Sequence, residues 1–246
     1  MNATATGQEG RQLVVRRLRA FAPVSAEDEA TILSLHDGQR WAPGSELVRD
    51  NEPLHPRFLV DGWAARVRWL EDGRRQIIAF VLPGDAIGLC ERPQPLALAA
   101  IVAITPAQTV DASPVEHRLR AGASALSDAV HLTASFEEAC LIDQVVRLGR
   151  QTAYERISHL LLELQLRLRM VGLGTATSFP CPLTQEVIAD ATGLSVVHVN
   201  RTLQAFRKEG LLDLRQGRAT LSEPDLLASI CDYRRPEPSA ARGREI

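Results

Sequence analysis

The chain reads as an α+β protein with three parts: an N-terminal antiparallel β-roll of the cupin-like kind, a long helix, and a C-terminal winged helix-turn-helix. Three observations carry this reading. Between residues 40 and 113, the pairs Pro43-Gly44, Asp61-Gly62, Asp72-Gly73 and Pro83-Gly84 punctuate short apolar or alternating runs, the texture of antiparallel strands joined by tight turns. Between Ala123 and Gly149 there is then no proline or glycine, and apolar residues recur at helical spacing. After residue 183, two short helical patterns flank a glycine and are followed by two short apolar runs around a second glycine.

Taken in order, residues 11–19 carry Leu13, Val14 and Leu18 on one side of a short helix. Ser25, followed by Glu27, Asp28 and Glu29, has the form of a helix N-cap, and Ile32, Leu33 and Leu35 supply that helix's buried face. Strands are expected at Glu46-Leu47-Val48, at Phe58-Leu59-Val60 and over 64–70 and 76–81, and apolar blocks at 98–105 and 109–112 complete the roll. The helix over 124–147 has a mixed small and apolar stripe that includes Leu126, Val130, Phe136, Ala139, Cys140 and Val146. An amphipathic helix follows over 153–169 on Ile157, Leu160, Leu161, Leu164 and Leu168, with a hinge within 147–156. Residues 172–182 read as a loop. A short helix over 224–233 precedes a polar, proline-containing tail that is expected to be disordered. The expected division is an N-terminal segment 1–20, a β-roll 21–122, a long helix 123–147, a winged helix-turn-helix 148–233 and a tail 234–246.

The stretch from Leu183 to Leu212 is the best specified. Val187, Ile188 and Ala191 share one helical face, and Thr184 ahead of them is an N-cap whose hydroxyl can accept an orphan backbone N–H. Gly193 falls where the chain must turn, and Ser195 is a second N-cap. In the helix that follows, Val199, Leu203 and Phe206 lie on one side, while Val197, Asn200, Arg201, Gln204 and Lys208 fall largely on the other. Ala189 is small where the first helix would cross the second. The polar side offers amides and a guanidinium, the groups that read base edges in a major groove. An ordinary helical hairpin with a solvated polar face would share this spacing. What separates the two readings is the pair of short strands after Gly210, Leu211 to Leu214 and Ala219 to Leu221 around a Gln216-Gly217-Arg218 turn, which make a wing with Arg215 and Arg218 at its tip.

Bulk properties narrow the alternatives. A chain of 246 residues is long enough for two modest domains, each with its own core. The formal net charge of −2 does not advertise a polyanion partner, so any such contact must come from local clusters such as Arg201, Arg207, Lys208, Arg215 and Arg218. Residues 1–10 do not have the form of a signal peptide, and no apolar run approaches membrane-spanning length, so a cytoplasmic location is expected. The four cysteines, Cys90, Cys140, Cys181 and Cys231, form no C-x-x-C pair, and the six histidines are dispersed. An enzyme built on the roll therefore lacks metal ligands and a nucleophile–base pair, and no metal site is expected.

At this point a resemblance is visible. The combination Thr184-Gln185-Glu186-x-Ile188-Ala189-x-x-Thr192-Gly193-Leu194-Ser195, then Val199-x-Arg201-Thr202-Leu203, then Glu209-Gly210-Leu211-Leu212 resembles the winged helix-turn-helix of the Crp/Fnr superfamily of bacterial transcription regulators. Phe58-Leu59-Val60-x-Gly62-Trp63-Ala64 and Pro83-Gly84-Asp85-x-Ile87-Gly88 are similar to the cyclic-nucleotide-binding-like sensory roll of the same superfamily.

The resemblance implies a homodimer paired through the long helix, with double-stranded DNA and RNA polymerase as partners. It implies DNA contacts from Thr184, Gln185, Ser195, Val196, Val197, His198, Asn200, Arg201, Gln204, Lys208 and Arg218, with Arg201 on guanine, Asn200 and Gln204 on adenine or phosphate, and the two valines on thymine methyl groups. Members that read the usual half-site carry a glutamate where Val197 stands, so a different half-site is expected here. Members that bind cyclic AMP follow the glycine corresponding to Gly88 with a glutamate and later supply an arginine. Here Leu89 follows, residues 95–100 contain no arginine, and Glu91 and Arg92 precede the expected place among prolines. A buried cyclic phosphate without a cation would be poorly compensated, so cyclic AMP is not expected as effector. Iron–sulfur members carry an N-terminal cysteine cluster, and this chain has no cysteine before Cys90, so no cluster is expected. The alternative is an adaptor whose helix-turn-helix has lost DNA and binds a protein instead.

Overall fold

The structure, a computed structural model, describes residues 7–90, 96–122 and 124–235. Residues 1–6, the segment with Glu91 and Arg92, and positions 236–246 of the expected tail lie outside the described residues. In chain order the elements are α1 (Gly7–Arg19), α2 (Ala26–Leu33), β1 (Arg40–Trp41), β2 (Glu46–Val48), β3 (Arg57–Asp61), β4 (Ala64–Trp69), β5 (Arg75–Val81) and β6 (Ala86–Ile87). There follow β7 (Ala100–Ala103), β8 (Ala107–Asp111), α3 (Ser113–Arg120), α4 (Ser124–Arg150), α5 (Ala153–Met170) and β9 (Ser178–Pro180). The last are α6 (Gln185–Thr192), α7 (Val196–Glu209), β10 (Leu212–Arg215), β11 (Arg218–Leu221) and α8 (Pro224–Ile230). The described residues divide into two compact units, one drawn from 7–65 and 81–139, the other from 66–80 and 140–235.

In the first unit, one sheet runs β1-β8-β3-β6, and β2 pairs antiparallel with β7. The period of two along β3 builds two cores from one strand. Leu59 points into the roll with Leu47, Val48, Ile87, Ile101 and Ala103, while Phe58 and Val60 point outward under Val14, Leu18, Ile32, Val115 and Leu126 of the covering helices. Ser25 caps α2 as the sequence suggests, accepting the N–H of Asp28 at 3.1 Å. Arg17, fully buried, pairs with Asp85 at 3.1 Å and lies 5.0 Å from the ring centroids of both Phe21 and Phe136. Asp85 also accepts the N–H of Leu82 at 2.8 Å, so the aspartate of the Pro-Gly-Asp turn closes its own turn while neutralising a buried cation.

In the second unit α5 is the axis. Every residue from Ile157 to Leu168 is buried, so this helix is covered on all sides rather than along one stripe. Its buried carboxylate, Glu163, lies between Arg147 and Arg167, the latter at 3.3 Å. A capping box starts the helix: Thr152 accepts the N–H of Glu155, and Glu155 accepts that of Thr152.

Two expectations need correction and two need adjusting. The stretch read as a loop over 172–182 contains β9, which pairs antiparallel with β11 and makes the wing a three-stranded sheet of order β10-β11-β9. A helix not read from the sequence, α3, lies between the roll and the long helix. The first helix begins at Gly7 rather than near Arg11, and α4 runs to Arg150, leaving only Gln151 and Thr152 outside helical geometry where the hinge was expected.

Burial also decides what the cysteines can do. It pushes the Cys181 thiol up to about 12 and the Cys231 thiol up to about 11, so neither supplies thiolate near neutral pH. We expect Cys181 and Cys231 to resist alkylation by iodoacetamide at pH 8 until denaturant is added, with the half-buried Cys90 reacting first. Rapid native-state labelling of Cys181 or Cys231, read by peptide mass mapping, would contradict this packing.

Candidate nucleic-acid interface

The helix-turn-helix is assembled from local signals. Thr184 stands in extended geometry at the N-cap of α6 and accepts the N–H of Val187 at 3.3 Å. Ser195 does the same for α7, accepting the N–H of His198 at 3.2 Å. Between the caps Gly193 has φ of 65°, the left-handed conformation that ends α6 and lets α7 start almost at once in a new direction.

Facing inward from α7 are Val199, Leu203 and Phe206, all buried. Phe206 lies 3.9 Å from Tyr154 between ring centroids, and the Tyr154 hydroxyl donates to Glu209 Oε2 at 2.6 Å. Burial first, and then the Glu209 carboxylate, hold the phenol above its usual range, so Tyr154 remains a donor. Facing outward are Val196, Val197, His198, Arg201, Gln204 and Lys208, all exposed, with Asn200 half-buried beside them. Val197 is 59% exposed and Val196 beside it 42%. Among the described residues Arg201 makes no side-chain hydrogen bond or ion pair. Lys208 sits roughly 18 Å further along the axis than Val196, at a rise of 1.5 Å per residue, beyond the span from which base edges are reached.

The wing supplies the other wall. Gln216 and Gly217 have φ of 51° and 72°, the paired positive values of a two-residue hairpin turn. Arg215 and Arg218 face each other across it, and Arg218 donates to Ser178 Oγ at 3.0 Å. Asp213 accepts from Arg207 at 3.0 Å, tying recognition helix to wing, and forms an ion pair with Arg215 at 2.8 Å. The result is a groove of about 530 Å³ lined by Thr184, Gln185, Asn200, Gln204, Arg207 and Arg215. Of the residues singled out in the sequence, Thr184, Gln185, Asn200 and Gln204 converge on this groove. Ser195, Val196, Val197 and His198 form the opposite end of α7, and Arg218 stands on the wing.

What holds α6 in place is less local. Helices leave their last carbonyls without intrahelical donors, and here each finds one. Gly193 N–H reaches Ala189 O. Gln76 Nε2 donates to Asp190 O at 2.7 Å, Gln144 Nε2 to Ala191 O at 2.8 Å and Arg156 Nη1 to Thr192 O at 2.9 Å. Arg75 adds an ion pair to the Asp190 side chain at 2.6 Å.

Residues 155–230 match the model of the Crp-like helix-turn-helix domain. The nitrogen fixation regulation protein FixK of Bradyrhizobium diazoefficiens is 30% identical over 84% of this chain and 88% of its own length. The chain belongs to the Crp/Fnr family of transcription regulators. A second relative, the transcriptional activator protein FnrL of Cereibacter sphaeroides, is 26% identical over 81% of this chain and 82% of its own. The solved structure of FixK2 from Bradyrhizobium japonicum superposes with a TM-score of 0.67 at 27% identity, covering 80% of this chain and 98% of that one. As in its relatives, the domain makes this Crp/Fnr member a DNA-binding transcription regulator. Among the described residues, no helix is long and apolar enough to cross a membrane.

Sequence reasoning missed the residues that position this regulator's reading head: Gln76, Gln144, Arg156 and Arg75 around α6, and Asp213 between two arginines. One signal was available, an amide at a buried position of the long helix; Gln144 is only 7% exposed. We expect Gln144→Ala, which leaves Ala191 O with only the longer 3.4 Å contact from Gln76, to lower stability by about 1–3 kcal/mol. A urea midpoint unchanged from the native chain would contradict the role given to this amide.

Proposed function

We propose that this regulator acts as a homodimer whose two α7 helices enter successive major grooves of a roughly palindromic site, about one helical turn apart. The observation that carries the proposal is the outer face of α7, where Arg201 is exposed and makes no side-chain hydrogen bond or ion pair among the described residues and Val196 and Val197 stand exposed beside it. Support for pairing comes from the 27-residue α4, where Ile142, Val145 and Val146 are 59%, 72% and 45% exposed on neighbouring turns, an apolar stripe that a second copy would cover. Arg201 is assigned to guanine O6 and N7, the exposed valines to thymine methyl groups, and Thr184, Gln185, Ser195, His198, Lys208 and Arg218 to the backbone. With Val197 in place of a glutamate, no carboxylate faces cytosine N4, and the half-site differs from the family's usual one. RNA polymerase is the further partner such a regulator works through, and DNA-bound protein would associate with the nucleoid. Cyclic AMP and an iron–sulfur cluster have no part in this reading.

Affinity should fall steeply with salt, as phosphate neutralisation requires. We expect Arg201→Ala to weaken binding to the selected duplex by about 1–3 kcal/mol and to relax the sequence preference, measured by fluorescence anisotropy across a salt series. Unchanged affinity in that variant would remove Arg201 from the interface, and a chain that is monomeric by light scattering with and without DNA would end the dimer proposal.

A further inference from the structure

Three side-chain amides form one continuous chain across the floor of the groove. Asn200 Nδ2 donates to Gln185 Oε1 at 3.1 Å, and Gln204 Nε2 donates to Asn200 Oδ1 at 2.9 Å. Asn200 and Gln204 are one helical turn apart on α7, while Gln185 is the first residue of α6, which the carbonyl contacts described above hold in place. Asn200 is half-buried in the middle, Gln185 is half-buried at one end, and Gln204 is exposed at the other.

An amide has one acceptor oxygen and two donor hydrogens. In this chain Asn200 uses one lone pair of its oxygen on Gln204 and one hydrogen on Gln185. Gln185 spends only its oxygen and keeps both hydrogens, the groups a phosphate oxygen accepts. The chain with every amide reversed would use a Gln185 hydrogen to reach Asn200 and would leave its oxygen and only one hydrogen for the DNA backbone, a poorer match to phosphate oxygens than two hydrogens. Gln204 spends one hydrogen and keeps its oxygen together with the other hydrogen.

We infer that Gln204 is the amide that reads a base, that the base is adenine, and that Gln185 and Asn200 are positioning residues that set its orientation. This rests on the DNA-binding reading above and deepens it. The major-groove edge of adenine offers the N6 hydrogens and the N7 acceptor, the complement of a free oxygen beside a free N–H. Guanine offers two acceptors, O6 and N7, and the fixed oxygen of Gln204 would face one of them. Thymine offers O4 alone, and cytosine only its N4 hydrogens. Asn200 is half-buried with one hydrogen already on Gln185 and its oxygen already accepting from Gln204, whereas Gln204 is exposed, so Asn200 acts through Gln204.

The test is selection from random-sequence duplexes with the full-length chain, comparing native protein with Gln204→Ala, Gln204→Glu, Gln185→Ala and Gln185→Glu. The native chain should enrich adenine at one position of each half-site by about tenfold or more over the other bases. Gln204→Ala should flatten that position alone, leaving the guanine assigned to Arg201 enriched. Gln204→Glu, which has only acceptors, should shift the preference from adenine to cytosine. Gln185→Ala should weaken the adenine preference, whereas Gln185→Glu keeps the acceptor that Asn200 uses and should retain it, at lower overall affinity. An unaltered profile for Gln204→Ala, with the native chain still enriching a site, overturns the inference alone. A native chain that enriches no sequence overturns the DNA-binding reading and this inference with it.

Discussion

Everything the recognition helix does depends on how α6 ends. A helix C-terminus buried in protein must find donors for its last carbonyls, and here they come from β5, α4 and α5 through Gln76, Gln144 and Arg156. With those groups satisfied, Gly193 can turn the chain at positive φ, and α7 leaves in a fixed direction. The side of α7 that packs is then determined by Val199, Leu203 and Phe206, and the opposite side leaves Val196, Val197, Arg201 and Gln204 exposed. Exposure of the reading face is thus a consequence of where carbonyl groups are satisfied, one helix earlier.

The same economy recurs in the buried charges. Glu163 on the central helix lies between Arg147 and Arg167, and Arg17 in the first unit lies against Asp85. Such pairs contribute little net stability, because desolvation offsets most of their attraction, yet losing one partner leaves an uncompensated charge. Their effect is to fix register. Arg147 on α4 can meet Glu163 on α5 only when the two helices are correctly placed, and this sets the frame in which Gln144, three residues earlier on α4, reaches Ala191 O.

Much of this was legible in the sequence, and the boundary between what was and what was not is physical. Thr184, Gly193, Ser195 and Gly210 declare themselves because caps and left-handed turns are local, decided by a side chain and the few backbone groups next to it. The inward set on α7 follows from its period alone. β9 was hidden because its three residues owe their strand geometry to β11, some forty positions later in the chain, and because Pro180 is tolerated only on a sheet edge. The α3 helix was hidden by its shortness and by an N-cap, Ala112, that makes no side-chain hydrogen bond. Gln76 and Gln144 gave no sign of their partners, since a glutamine that satisfies a distant carbonyl looks like any other polar residue. Nor could spacing reveal that Asn200, read as an exposed reader, is half-buried in a chain of amides.

The central claim is that the outer face of α7, with Arg201 at its middle, lies in the major groove. Methylation interference at guanine N7 tests this most directly, because N7 opens only to that groove and is one of the two atoms assigned to the Arg201 guanidinium. On a selected duplex, methylation of one guanine per half-site should block binding of the native chain, in two major grooves about one helical turn apart, and the same methylation should be without effect on Arg201→Ala. Binding of the native chain that is indifferent to N7 methylation, or interference that persists unchanged in Arg201→Ala, would contradict the account.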